Sequence, residues 1–202
     1  MESKPYDIVL LPEIRITQEA SKLSGKLQTL GSYFTLDNKT FFAHISIYML
    51  ELSDEGLEKV LTILPQIASQ TSIIKSLPKE YHYESDYIDI EFKKTKELES
   101  LQEIIINHIN PLRAGLREKD KERLENATGE ERDNILEYGY RSIGKLFRPH
   151  LTFTRFKDNQ QSIINTLPSM EIFNGNLPKL GIFEMGNNGT CIREVKFWAL
   201  RV

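Results

Sequence analysis

Two short runs of the sequence carry side chains equipped for chemistry. Phe41-Phe42-Ala43-His44-Ile45-Ser46-Ile47-Tyr48-Met49-Leu50 and Phe147-Arg148-Pro149-His150-Leu151-Thr152-Phe153-Thr154-Arg155-Phe156 each hold a histidine followed two residues later by a hydroxyl. Both are rich in β-branched and aromatic residues and read as strands. Along a strand, positions i and i+2 share a face and lie roughly 6.5–7 Å apart. His44 thus shares a face with Ser46, and His150 with Thr152. In the first run Ala43, Ile45, Ile47 and Met49 make a core face, leaving Phe42, His44, Ser46 and Tyr48 on the other. In the second, Leu151 and Phe153 point inward and His150, Thr152 and Thr154 outward; alternation then puts Arg155 on the inward face.

Imidazole titrates near neutrality, so two of them facing one pocket can be held one neutral and one protonated. The neutral ring can take a proton from water or a ribose hydroxyl while the charged ring gives one to a leaving oxygen. Ser46 and Thr152 can donate to non-bridging phosphate oxygens, whose charge grows at the transition state. The set suits metal-free cleavage of a phosphodiester or cyclic phosphate. One such triplet arises easily by chance, and histidines in strands often only pack; recurrence in both halves with the same parity carries the reading. Tyr48 and Phe42 could stack on a base, Tyr140 could close over a ligand, and Arg155 could reach phosphate or form a structural ion pair. Arg148, Arg141 and Lys145 could form a basic rim. His82 and His108 lie outside both motifs. No local spacing of metal ligands is present, so neither a metal nor a cofactor is expected.

The second run, from Arg148 to Arg155, resembles the "PHxTL-x-R" motif of the two-histidine (2H) phosphoesterase superfamily, named for two H-x-[ST] motifs. That superfamily includes LigT-like 2′-5′ RNA ligases and RNA 2′,3′-cyclic phosphodiesterases. His44-Ile45-Ser46-Ile47 fits the first motif but lacks the "FLG" tail often seen after it. In order of elements the resemblance spans nearly the whole chain. It implies an α+β fold: bilobal, two antiparallel β-sheets with outer helices related by a pseudo-twofold, and an active-site cleft between them. It implies His44 and His150 as the catalytic acid/base pair and Ser46 and Thr152 as phosphate ligands. The substrate it implies is a 2′,3′-cyclic phosphate or 2′-5′ linkage in a nucleotide or RNA terminus. Two alternatives stand beside this: a binding module for the same ligands without turnover, and a phosphodiesterase for a non-RNA small metabolite.

Other elements must hold these strands. The chain has 202 residues, 40% hydrophobic, with net charge −3, which suits one two-lobed domain over residues 1–202. An acidic balance argues against grip on long duplex nucleic acid. No apolar run is long enough for a membrane span and the N-terminus lacks a signal-peptide pattern, so a cytoplasmic protein, a monomer, is expected. Cys191 is the single cysteine and leaves no internal disulfide. Tyr6–Leu11 reads as a central strand, and helices are expected over about 18–30, from Ser53 toward Pro65, and over 96–109. Strands are expected over 82–93, 170–173, 179–185 and 191–202, with Gly186–Gly189 a hairpin turn, and a short helix over 160–167. Residues 111–145 are crowded with charge and read as a helical insertion or flap, with Gly139 and Gly144 as possible hinges.

Overall fold

The computed structural model describes residues 3–202; Met1 and Glu2, where the signal-peptide reading begins, lie outside them. The strands are β1 (Ser3–Leu11), β2 (Ile45–Ser53), β3 (Ile74–Ser76), β4 (Pro78–Glu84), β5 (Tyr87–Phe92), β6 (His150–Arg155), β7 (Gly175–Leu177), β8 (Lys179–Met185) and β9 (Cys191–Ala199). They form a four-stranded sheet in the order β2-β1-β8-β9, a three-stranded sheet β4-β5-β6, and the small pair β3-β7. Every pairing between these strands is antiparallel. The α+β architecture of two antiparallel sheets is as the resemblance implies. Each motif strand is the edge of its own sheet, and β2 and β6 lie against one another. Two edges that would otherwise expose unpaired backbone cover each other, and one apolar core runs beneath both sheets.

The helices are α1 (Ile14–Leu27), α2 (Asp54–Gln70), α3 (Lys96–Ile109), α4 (Glu118–Leu124) and α5 (Gly129–Tyr138). Ser53 caps α2 by accepting from the Gly56 amide, and Thr95 caps α3 through the Leu98 amide, satisfying otherwise orphaned donors. Helix α1 begins four residues before the expected start, directly after Pro12 and Glu13, so Thr17 lies within it and bonds back to the Pro12 carbonyl. Pro65 does not end α2. Burial of Leu64, Ile67 and Ala68 carries the helix on to Gln70.

The sequence reading misjudges two further places. The strand expected over 82–93 is a hairpin, β4 and β5, turning at Ser85 and Asp86 with φ of 51° and 67°. That left-handed turn lacks the glycine that would have announced it. Met170–Phe173 is a turn of 3-10 helix capped by Ser169, and the strand follows it as β7. The short helix expected over 160–167 is present as 3-10 helix, Gln161–Thr166.

The decisive departure from simple alternation lies in the motif strands. Pairing of β1 with β2 steps from Ile8↔Tyr48 to Val9↔Ser46, and of β5 with β6 from Ile88↔Thr154 to Asp89↔Thr152. Ile47 and Phe153 are therefore extra residues, each three positions after its histidine. A bulge of this kind leaves the extra residue outside the ladder. Here both freed carbonyls are caught: Gln102 Nε2 of α3 donates to Ile47 O (3.0 Å), and Ser24 Oγ of α1 donates to Phe153 O (2.7 Å). Both side chains are buried. Helix α1, which joins β1 to β2, packs on β6, while α3, which joins β5 to β6, packs on β2. Each motif strand is braced by the helix from the other β-α-β unit.

Ser24 Oγ also accepts from the Leu36 amide (2.9 Å), so Ser24→Ala strands two buried backbone groups. The expected loss is about 1–3 kcal/mol of unfolding free energy, read as a lower urea midpoint. An unchanged midpoint would show that the bulge is held without this hydroxyl.

Candidate active site

A cavity of about 1360 Å³ opens between the two sheets. Its lining includes His44, Ser46, His150 and Thr152, together with Asp89, Arg117, Lys119, Arg123, Tyr140, Arg141 and Arg155. The bulges decide which side chains reach it. Beyond Ile47 the parity of β2 reverses, so Met49 and Glu51, rather than Tyr48, join His44 and Ser46 at the lining. Beyond Phe153 the same reversal brings Arg155 into the cleft beside His150 and Thr152, opposite to the inward placement that plain alternation gives. Tyr48 is wholly buried, its hydroxyl donating to the Tyr138 carbonyl (2.6 Å) and lying 2.8 Å from Asn110 Oδ1. Phe42 packs on Phe183, ring centroids 5.1 Å apart, and is not among the lining residues. The expectation that Tyr48 and Phe42 stack on a base is thus corrected: the bulge turns one into the core, and Phe183 claims the other.

The histidines are held alike. Nδ1 of His44 lies 2.7 Å from the Phe42 carbonyl oxygen, and Nδ1 of His150 lies 2.7 Å from that of Arg148. A carbonyl only accepts, so Nδ1 carries the proton in each neutral ring and Nε2 is left with its lone pair. Burial draws the His44 imidazole down to about 4, with the charge of His150 acting in the same direction. Burial also lowers His150, but Asp89 and Glu91 favour its protonated form. Asp89 is at the same time gripped by Arg148 in a two-pronged pair (2.7 and 2.9 Å), so Arg148 is committed to the sheet rather than free at the rim. The hydroxyl of Thr152 meets no protein partner among the described residues, whereas Ser46 Oγ lies 2.6 Å from Asp7 Oδ2.

Asp7 is the residue that motif reading missed, although a lone carboxylate within the apolar run of β1 was a visible signal. It is wholly buried; its Oδ2 is 3.6 Å from His44 Nε2, and its Oδ1 has no hydrogen-bond partner among the described residues. An ionised carboxylate is costly in such a place. Burial accordingly raises Asp7 to about 8, against the opposing pull of Ser46 and Arg117. Ser46 Oγ donates to Asp7 Oδ2; once Asp7 is protonated the direction can reverse, which would leave the Ser46 hydroxyl proton for a ligand in the cleft. Asp7, His44 and Cys191 bring one possible metal-ligand atom each within 4.8 Å of one another. Burial keeps the Cys191 thiol well above its ordinary range and Asp7 protonated, so an entering metal must displace both protons.

No protein-family model matches the chain, and no curated protein matches it in sequence. Solved structures match its fold. E. coli LigT complexed with phosphate superposes at a TM-score of 0.61 with 13% identity over 100% of both chains. E. coli LigT complexed with ATP superposes at 0.63, also at 13% identity and 100% of both chains. TT0787 of Thermus thermophilus superposes at 0.59 with 15% identity, covering 100% of this chain and 98% of its own. The chain has the LigT fold. The resemblance drawn from the two motifs therefore holds for the architecture, and within the LigT fold the two histidine strands meet at one cleft.

A raised Asp7 makes stability depend on pH. Folding favours its protonated form, so this contribution is full below the unfolded value near 4 and is lost as pH rises through about 8. Asp7→Asn, neutral throughout, should gain on the wild type in thermal melts from pH 5 to pH 9. A gap between the two proteins that does not change with pH would mean that Asp7 is ionised in the folded state.

Proposed function

We propose that the chain is a 2H phosphoesterase that hydrolyses a 2′,3′-cyclic phosphate or 2′-5′ phosphodiester in a nucleotide or RNA end. The observation that carries this reading is the matched pair of imidazoles. His44 and His150 line one cavity, each with Nδ1 tied to the carbonyl two residues back and Nε2 available. The LigT structures with phosphate and with ATP add that proteins of this fold hold phosphate and nucleotide.

In this reading His44 is the base. Burial keeps it neutral, so its Nε2 takes the proton of the attacking water as oxygen bonds to phosphorus. His150 is the acid. Burial lowers its imidazole overall, less so because Asp89 and Glu91 oppose the fall; the imidazolium, favoured further by the bound phosphate anion, protonates the departing ribose oxygen as the P–O bond breaks. One proton is taken and one given, and exchange with solvent restores the pair. Thr152 and Ser46 donate to the non-bridging oxygens, where negative charge grows. No step needs a metal.

The test is incubation of wild type, His44→Ala and His150→Ala with 2′,3′-cyclic nucleotides and 2′-5′ dinucleotides in EDTA, products separated by chromatography. Wild-type turnover lost in both variants is expected, with a bell-shaped pH profile. Thr152→Ala and Ser46→Ala should each raise the barrier by about 2–4 kcal/mol. Turnover that survives in both histidine variants, or that EDTA abolishes and metal restores, overturns the mechanism. Binding without turnover would make the chain a nucleotide-end binding module.

A further inference from the structure

Residues 111–145 supply part of the cleft wall, and several cations line the cavity from it. Arg117, Lys119, Arg123 and Arg141 come from this segment, and Arg155 reaches it from β6. Glu51, Glu84, Glu118, Glu130 and Glu131 also line the cavity, yet few carboxylates pair with these five cations. Arg117 and Arg123 share the buried Asp120, at 2.5 and 3.3 Å, and Arg141 has Glu131 at 3.4 Å. Among the described residues, Lys119 and Arg155 have no carboxylate partner.

Their surroundings are polarisable rather than charged. The Lys119 ammonium and the Arg155 guanidinium lie 5.7 and 5.1 Å from the centroid of the same Tyr87 ring. Arg155 Nη1 donates to Asn188 Oδ1 (3.0 Å), while its Nε is buried without a partner. Arg117 Nη1 is directed at two thioethers, Met49 Sδ (3.0 Å) and Met185 Sδ (3.4 Å), which are weak acceptors. Lys119 is exposed, with one side of its side chain against the cleft. Partial desolvation there, with the charges of Arg123, Arg155, Arg117 and Arg141, pulls its ammonium down to about 8. Such crowding is unfavourable unless something anionic neutralises it. It occurs in a chain whose net charge is −3, so it is no general excess of basic residues. The cavity also exceeds the upper end of ordinary ligand pockets, about 1,000 Å³, leaving room for more than a scissile phosphate and one sugar.

We infer that Lys119, Arg123, Arg141 and Arg155 form a second anion subsite, which holds a phosphoryl group of the substrate other than the one being cut. This rests on the phosphoesterase reading and narrows it: the substrate carries at least two phosphates, as a phosphomonoester at its far end or as a neighbouring internucleotide diester. Clustered guanidinium and ammonium donors are the recognised means of gripping phosphate oxygens. The phosphate relieves their mutual repulsion and anchors the nucleotide with its reacting end at the histidines.

The experiment has two arms, each on wild type and Lys119→Ala, a change at a solvent-reached position. In the first, inorganic pyrophosphate is titrated calorimetrically at low salt. In the second, kcat/KM is compared for a nucleoside 2′,3′-cyclic phosphate, the same compound with a 5′-phosphate, and a dinucleotide ending in the cyclic phosphate. Wild type should bind pyrophosphate and prefer a doubly phosphorylated substrate. Lys119→Ala should weaken binding and cut that preference by about tenfold to a hundredfold, the range for one charge-assisted contact. A preference for the 5′-phosphate identifies a monoester in the subsite, and a preference for the dinucleotide a diester. Equal turnover of all three substrates, with pyrophosphate binding indifferent to Lys119, overturns the subsite and leaves the phosphoesterase reading intact. Lys119-dependent pyrophosphate binding with no turnover of any substrate supports the subsite and removes the hydrolytic reading.

Discussion

Everything at the cleft depends on how two displaced carbonyl groups are satisfied. A bulge frees one backbone carbonyl in each motif strand, and a buried polar group without a partner is costly. The protein supplies one buried donor for each, Ser24 from α1 and Gln102 from α3. With the carbonyls held, the strands keep their reversed parity, and the reversal sets the chemistry of the lining. Without it, β6 would present Thr154 in place of Arg155, and β2 would present Tyr48 in place of Met49. Gln102 does more than brace a strand. Its amide also donates to the Ser142 carbonyl and accepts from the Gly144 amide, so the same side chain ties the cationic wall to the floor beneath it.

The two sides of the cleft differ in their electrostatics. On the floor, burial disfavours charge: Asp7 is held protonated, His44 neutral, and Arg148 is matched to Asp89. On the wall, guanidinium and ammonium groups outnumber their carboxylates. A ligand spanning the cleft passes from groups that exchange protons to a wall where the guanidinium groups only attract and Lys119, drawn down to about 8, is the one group that also titrates near neutrality.

Much of this was legible in the sequence because it is local. The two H-x-hydroxyl runs, the start of α2 at Ser53, α3, and the hairpin at Gly186–Gly189 all follow from periodicity and turn chemistry. What was not legible is long-range. A bulge is a relation between two strands, so alternation along one strand misplaces Tyr48 and Arg155. The fate of Phe42 depends on Phe183, which is far away in the chain. The hairpin at Ser85–Asp86 hid because neither residue is the glycine that usually marks a left-handed turn. Asp7 was visible as a lone carboxylate among apolar residues, but its protonation follows only from the burial that the fold imposes. Charge density marked residues 111–145 as unusual; which cations lacked partners could be seen only once Asp120 and Glu131 had chosen theirs.

The crossing of α1 and α3 has a further consequence, for how the chain folds and moves. Each half of the molecule contributes the helix that completes the other half's core. The freed carbonyl of each motif strand is held from the other half, and contacts such as Ser24 with Phe153 link positions 129 residues apart. Folding must close these long loops before their burial rewards it, which favours slow, concerted assembly over lobe-by-lobe acquisition. The same interlocking opposes a hinge between the lobes, because opening one would unpack a helix from beneath the other. Passage of a ligand in and out then falls to the rim of the cleft, where the charged segment lies, rather than to a jaw-like motion of two domains.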